Sequence, residues 1–240
     1  MSRRGTISNI ESNDREMRPI RLRKYPHLFL IVCEDGKTEP YYFNLLKKDI
    51  PDETIFLKAV GTGRNSVGVV KQAIIEKDRL SQEAKKEIDE VWAVFDKDDA
   101  DKTKGNTERF HDAFRIAQEN SIKVAYSNEV FELWALLHFV EVDYPGALPR
   151  ADIYQNLERA IRMIESYDDF CYEHGKTVVI DILNNVGDES SAINRAEILL
   201  ANHNKEKKTH PIDANPSTTV HLLIKQLRML IEFYSPLPEV

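Results

Sequence analysis

Cys33 and Cys171 are the only cysteines in 240 residues. A single pair is too few for a disulfide framework, and Cys33 falls inside an apolar stretch that reads as a buried strand. Reduced thiols and a cytoplasmic setting are therefore expected. Long apolar runs are also missing. The longest, Leu133 to Val140, is broken by His138 and falls far short of the ~18 residues of a membrane span. The first residues are polar and arginine-rich, without the apolar core of a secretory signal. No Walker-type phosphate loop and no Ser-His-Asp or Cys-His arrangement appears, and the histidines lack zinc spacing. Internal repeats and low-complexity tracts are absent too. The balance of 30% charged and 42% apolar residues is that of a folded globular chain. A net charge of −7 argues against a protein that coats nucleic acid nonspecifically. It leaves room for a metal-dependent enzyme, whose ligand carboxylates count as negative until cations bind.

What the chain does have is two acidic clusters, each placed just past an apolar strand. Leu28-Phe29-Leu30-Ile31-Val32-Cys33 runs into Glu34-Asp35-Gly36-Lys37-Thr38-Glu39, and Val91-Trp92-Ala93-Val94-Phe95 runs into Asp96-Lys97-Asp98-Asp99. Short, wholly apolar strands belong to a parallel sheet covered on both faces. Ligands of such sheets collect outside the carboxyl ends of the strands. Converging carboxylates repel one another unless a cation lies between them, and hard divalent ions prefer oxygen ligands.

The order of elements supports that placement. Residues 1–25 lack periodicity and read as a flexible basic arm containing Arg3, Arg4, Arg15, Arg18, Arg21, Arg23 and Lys24. Strands are expected at 28–33, 54–60, 91–95 and 122–126. Helices are expected after Thr38, from Ser66, after the long polar loop 96–106, and from an N-cap at Ser127-Asn128 through Phe139. This βα alternation implies an α/β domain over 26–145 with a mainly parallel sheet and helices on both faces. Pro145 and Pro149 mark a break. Residues 146–240 then show helical spacing throughout and read as an α-helical extension packed on the same core.

Each candidate residue has a plainer reading. In extended chain the Asp96 and Asp98 side chains point the same way and reach one ion; otherwise they belong to a solvated loop. An EF-hand fails, because the sixth and twelfth positions from Asp96 are Asp101 and Thr107. A haloacid-dehalogenase-like phosphatase, with Asp96 as nucleophile and Asp98 as acid, leaves the Glu34 cluster without a role. Glu34 directly follows its strand and serves as metal ligand or general acid/base. Glu39 reaches the same crevice or simply favours the first turn of its helix. Gly36 permits a tight turn, and Lys37 is placed to pair with phosphate. Glu132, at the start of an apolar helix, is a third-wall carboxylate. His138 sits about 120° round that helix from Glu132, so the two do not share an ion, and His138 reads as a hydrogen-bonded core histidine.

Four segments together resemble the RloB-like proteins of bacterial defence loci. They are Val32-Cys33-Glu34-Asp35-Gly36-Lys37-Thr38-Glu39-Pro40-Tyr41-Tyr42-Phe43; Val94-Phe95-Asp96-Lys97-Asp98-Asp99; Ser127-Asn128-Glu129-Val130-Phe131-Glu132-Leu133-Trp134 with His138-Phe139; and Asn215-Pro216-Ser217-Thr218-Thr219-Val220. The resemblance implies a Toprim-type (Rossmann-like) core in which Glu34 and the Asp96/Asp98 pair hold Mg²⁺ or Mn²⁺. Asp35 stands where Toprim sequences often have glycine. It also implies action with a partner ATPase in abortive infection.

The combined expectation is a Mg²⁺-dependent nuclease that cuts phosphodiester bonds in nucleic acid. RNA, transfer RNA included, is slightly favoured over DNA by analogy with defence effectors. Glu34, Asp96, Asp98 and Glu132 are the catalytic candidates, with Glu34, Glu39, Asp96, Asp98 and Asp99 as metal ligands. Lys37, Arg64, Lys102 and Lys104 are expected on the substrate backbone. No membrane contact is expected, and homo-oligomerisation is compatible with the sequence. The rival is a non-catalytic, metal-binding regulatory subunit of an ATPase complex.

Overall fold

Leu28, Leu30 and Val32 pack with Val69, Val70 and Ala73, whereas Phe29, Ile31 and Cys33 pack with Phe43, Leu133 and Leu223. Successive side chains of a strand point to opposite faces, so this run of apolar residues demands cover on both sides. The computed structural model describes residues 22–143, 146–208 and 210–236. Within them one sheet contains β1 (His27–Cys33), β2 (Ile55–Gly61), β3 (Glu90–Asp96), β4 (Lys123–Asn128) and β5 (Ser217–Thr218), in the order β2-β1-β3-β4-β5. The first four strands are mutually parallel and β5 is antiparallel to β4. The fold is the α/β, mainly parallel arrangement expected from the sequence.

Helices α1 (Thr38–Leu45), α2 (Ser66–Ala84), α3 (Lys104–Glu119) and α4 (Glu132–Leu137) follow β1 to β4 in turn. Beyond them lie α5 (Arg150–Arg162), α6 (Val178–Val186), α7 (Glu189–Lys205) and α8 (Val220–Tyr234). α2 and α3 cover one face of the sheet, while α1 and α4 to α8 share a core on the other. The chain steps from β1 to β2 on one side and returns to β3 on the other, so the topological switch lies between β1 and β3. That is where open α/β sheets bind ligands. Cys33 pairs in register with Val94, and Asp96 with Ser127, so the strand ends that carry Glu34 and Asp96 are level.

The structure departs from the sequence reading in four places. Most of the basic arm lies outside the described residues, as does Pro145, but its last part is docked: Leu22 is fully buried and Tyr25 lies 5.5 Å from Phe56, ring to ring. Ser127 and Asn128 do not cap a helix. They finish β4, because Ser127 Oγ meets Thr218 Oγ1 at 3.1 Å and Asn128 Nδ2 donates to the Pro211 carbonyl at 2.9 Å. α4 is correspondingly short. The loop after β3 ends earlier than expected, with Thr103 capping α3 through its hydroxyl. Finally, the carboxyl-terminal extension is not wholly helical, since it supplies β5. There Tyr126 N–H donates to Thr219 Oγ1 at 2.9 Å and Thr219 N–H donates back to the Tyr126 carbonyl at 2.8 Å. The Asn215–Val220 motif thus closes the sheet edge. No helix among the described residues is long and apolar enough to cross a membrane.

Candidate active site

β1 ends by handing the chain to a turn that is bound to its neighbours at every step. Glu34 N–H donates to the Val94 carbonyl at 2.9 Å, and Glu34 Oε2 accepts from Asp96 N–H at 3.1 Å. Asp35 turns back to accept the free N–H of Thr38 at the start of α1. Burial pushes the Asp35 carboxyl up, but the hydrogen bonds from Thr38, Lys37 and Gly36 outweigh it and hold the pKa below the ordinary range. Glu39 is buried at 2% exposure and its Oε2 accepts from Asp35 N–H at 3.0 Å. Beside its place in the first turn of α1, Glu39 thus closes the turn through Asp35, a role the sequence did not announce. Gly36 has open space where a Cβ would sit, whereas a Cβ on Gly61 would lie 2.4 Å from the Asp35 carbonyl oxygen. The glycine this turn requires is in β2.

β3 delivers Asp96, whose Oδ2 accepts from Phe131 N–H at 3.0 Å. Its other oxygen, Oδ1, is shut off from solvent and has no hydrogen-bond partner. The chain does not stay extended beyond it. Lys97 is buried and paired with Glu129 at 3.0 Å and Asp101 at 2.9 Å. Asp98 takes a left-handed backbone with φ of 46°, which Asp tolerates better than most residues. Asp98 and Asp99 consequently both face Arg150, whose guanidinium lies 2.8 Å from Asp98 Oδ1 and 3.6 Å from Asp99 Oδ1. Asp96 and Asp98 do line one cavity, of about 220 Å³, together with Glu34, Asp99 and Arg150. A turn brings them there rather than strand alternation.

Glu132 opens α4 and is buried. Its Oε1 accepts from the Tyr172 hydroxyl, and His174 Nδ1 lies 3.8 Å away. Its neighbours were not legible in sequence, because Tyr172 and His174 sit some forty residues away in an irregular segment. Arg150 was also missed, although Pro149 ahead of it marks a helix start.

The carboxylates press on one another. Burial pushes Glu34 up to about 8, helped by Asp98 and opposed by the Asp96 N–H. Glu39 is raised by burial and by Glu34, Asp35 and Glu132. Asp96 is raised by burial and by Glu39, Glu34, Glu132 and Asp98. Asp98 is raised by burial, Asp99, Glu129 and Glu132 against the pull of Arg150. Asp99 goes the other way, held low by its hydrogen bond with Lys102.

Among the described residues no three His, Cys, Asp or Glu side chains stand grouped as ready-made metal ligands. Glu34 and Asp96 each spend an oxygen on a backbone N–H, and Asp98 faces Arg150. The donor set nevertheless suits a hard divalent cation: all oxygen, strongly anionic, and with Asp96 Oδ1 partnerless.

Of the expected substrate contacts, Lys37 and Arg64 are exposed and free of ion pairs among the described residues, Lys102 is committed to Asp99 at 2.7 Å, and Lys104 pairs loosely with Glu108 at 3.8 Å. His138 is buried, as expected of a core histidine, but neither ring nitrogen has a hydrogen-bond partner, and burial lowers its pKa to about 4. A hollow of about 740 Å³ is lined by residues such as Leu136, Val142 and Met163 and holds none of the carboxylates of the cluster.

A family model described as RloB-like protein matches residues 29–227, a span that includes both acidic clusters, α4 and the Asn215–Val220 segment. The chain belongs to the RloB-like family. Comparison with curated proteins and with solved structures gave no match. The boundaries of the family match place every carboxylate of the cluster, Arg150, Tyr172 and His174 inside the RloB-like region.

Proposed function

We propose that this RloB-like chain is a divalent-metal-dependent phosphodiesterase acting on nucleic acid, and that it serves as an effector in anti-phage defence beside a partner ATPase. One observation carries the chemical part. Glu34, Glu39, Asp96, Asp98 and Glu132 are gathered at the switch point of a parallel sheet, where burial and mutual repulsion raise the first four. Such crowding in a cleft points to a functional site, and its natural relief is a cation. Glu34, Asp96 and Asp98 would hold Mg²⁺ or Mn²⁺, with Glu39 and Asp99 near enough in sequence to assist. When bound, the ion supplies positive charge to the phosphoryl oxygens in the transition state and makes water acidic enough to serve as nucleophile near neutral pH.

The chain's own groups do the rest. Asp96 N–H fixes the Glu34 carboxylate, and Phe131 N–H fixes that of Asp96, so each presents one oxygen in a set direction. Arg150, held by Asp98 and Asp99, is the cation that a substrate phosphate would draw away. Glu132, oriented by Tyr172 and His174, would be the group that passes a proton. The test is incubation of the purified chain with single-stranded and duplex RNA and DNA in Mg²⁺, Mn²⁺ or EDTA. Cleavage that vanishes in EDTA and in Asp98→Ala supports the reading; cleavage that survives both contradicts it.

The Arg150 pairing also favours a second reading. In it the guanidinium permanently neutralises Asp98 and Asp99, and the cluster regulates an ATPase complex without cutting anything. An Arg150→Ala variant that loses regulation, with no cleavage by any complex, would select this reading.

A further inference from the structure

Tyr154 lies one helical turn beyond Arg150 on α5 and stacks against Tyr172, with ring centroids 4.7 Å apart and planes at 25°. The His174 ring lies against Tyr154 as well, with centroids 5.8 Å apart and planes at 35°. These rings line an open cleft of about 550 Å³ with Gln155, Arg159 and Arg162. Tyr172 and His174 are the same two residues that hold Glu132, so the cleft is physically joined to the carboxylate cluster. At a rise of ~1.5 Å per residue, Tyr154 is about 6 Å and Arg162 about 18 Å along the axis from Arg150. Along α5 there follow, in order, a cation at the carboxylates, an aromatic platform and a second cationic patch, the last turned about 120° to 180° round the helix from Arg150. Arg162 is partly used, by the Phe170 carbonyl at 2.6 Å and Glu158 at 3.4 Å, whereas Arg159 is exposed and has no ion pair among the described residues.

We propose that this cleft binds the unpaired base of a nucleotide next to the one being cut, and that the substrate is accordingly single-stranded nucleic acid or an unpaired loop. The inference rests on the nuclease reading and adds the form of the substrate. Aromatic side chains flanked by cations bind single strands, because each base offers a π-face and the cations follow the backbone. Bases stacked inside a duplex cannot reach such a platform without being extruded. Tyr154 beside Arg159 and Arg162 in one cleft suits base and backbone together. The ring faces are sequence-tolerant, so the cleft selects unpaired over paired strands rather than one base over another.

The experiment measures binding in EDTA, where no turnover occurs, by fluorescence anisotropy of a short labelled single-stranded RNA, the matching DNA strand and the RNA duplex. The full-length chain should bind the single strands more tightly than the duplex. Tyr154→Leu should weaken single-strand binding by about 5- to 150-fold, the range of one base–ring stack, while Tyr154→Phe should bind like the parent. Arg159→Ala, at an exposed position, should lower the slope of log affinity against log salt by roughly one. Equal binding by Tyr154→Leu, failure of Tyr154→Phe to restore it, or a parent chain that prefers duplex or binds no strand would each overturn the inference. Mg²⁺-dependent cleavage separates it from the nuclease reading. Loss of binding in Tyr154→Leu with no cleavage by any form keeps the cleft and removes the nuclease. Cleavage and binding that both ignore Tyr154→Leu keep the nuclease and remove the cleft.

Discussion

Asp96 concentrates the physics of the site in one side chain. One oxygen accepts the Phe131 N–H, and the other is buried with no partner among four further carboxylates. A buried, unpaired charge is costly, so the metal-free protein tolerates Asp96 rather than being stabilised by it. Asp96→Asn keeps an acceptor for Phe131 and removes the charge. It should raise metal-free stability by on the order of 1 kcal/mol, a few degrees in Tm for a chain of this size, and lower cleavage by ~100-fold or more. Thermal melts in EDTA and cleavage in Mg²⁺ check both halves; a lower Tm with activity intact would contradict them. His138 sets a second expectation, this time in pH. Its folded pKa is about 4 because burial disfavours the charged ring, against an unfolded value of about 6.5. Between those values the unfolded chain binds a proton that the folded chain refuses, so stability falls as pH drops through that window. The loss should be on the order of 2–3 kcal/mol for this residue. Glu34 has the opposite sign: raised to about 8, it costs stability as pH rises. Denaturant titrations of the parent and His138→Leu at pH 7 and 4.5 isolate the histidine; identical acid sensitivity in both would refute its part.

At the scale of elements, the acidic turn after β1 depends on β2. The space a Cβ would need at Gly61 is filled by the Asp35 carbonyl oxygen at 2.4 Å and by Gly36 Cα at 2.6 Å. Gly61→Ala should therefore push the Glu34–Glu39 turn outward, cost about 2 kcal/mol, and depress cleavage more than the lost stability accounts for; chemical denaturation and Mg²⁺-dependent rates measure the two effects. Gly36→Ala, with open space around it, should be mild in both assays. Elements also divide what could be read from sequence. β1 and β3 were legible because apolar residues fill both faces and acidic turns end them, and so was the meeting of Glu34 and Asp96 at one edge. β5 was not, since Ser217–Thr218 is too short to show a period. Asp98 was legible as a pocket residue but not in its geometry, because nothing in Asp-Lys-Asp-Asp announces a left-handed turn. Arg150, Tyr172 and His174 meet the cluster only through tertiary folding, and a charged residue or an aromatic in a loop carries no local sign of its distant partner.

Across the whole molecule, the strand ends, α1 and α4 supply the carboxylates, while α5 supplies Arg150 and, with the irregular segment after it, the ring cleft. The two contributions share one apolar core, so the site is a property of the complete RloB-like region and not of the sheet domain alone. The central claim is that this anionic cluster binds a divalent cation, and direct Mn²⁺ binding measured by electron paramagnetic resonance tests it without reference to any substrate. The account predicts that the full-length chain depletes the free Mn²⁺ signal, that Mg²⁺ competes, and that Glu34→Gln and Asp96→Asn each abolish the depletion. A free-ion signal unchanged by the parent chain, or depletion that survives both substitutions, would contradict it.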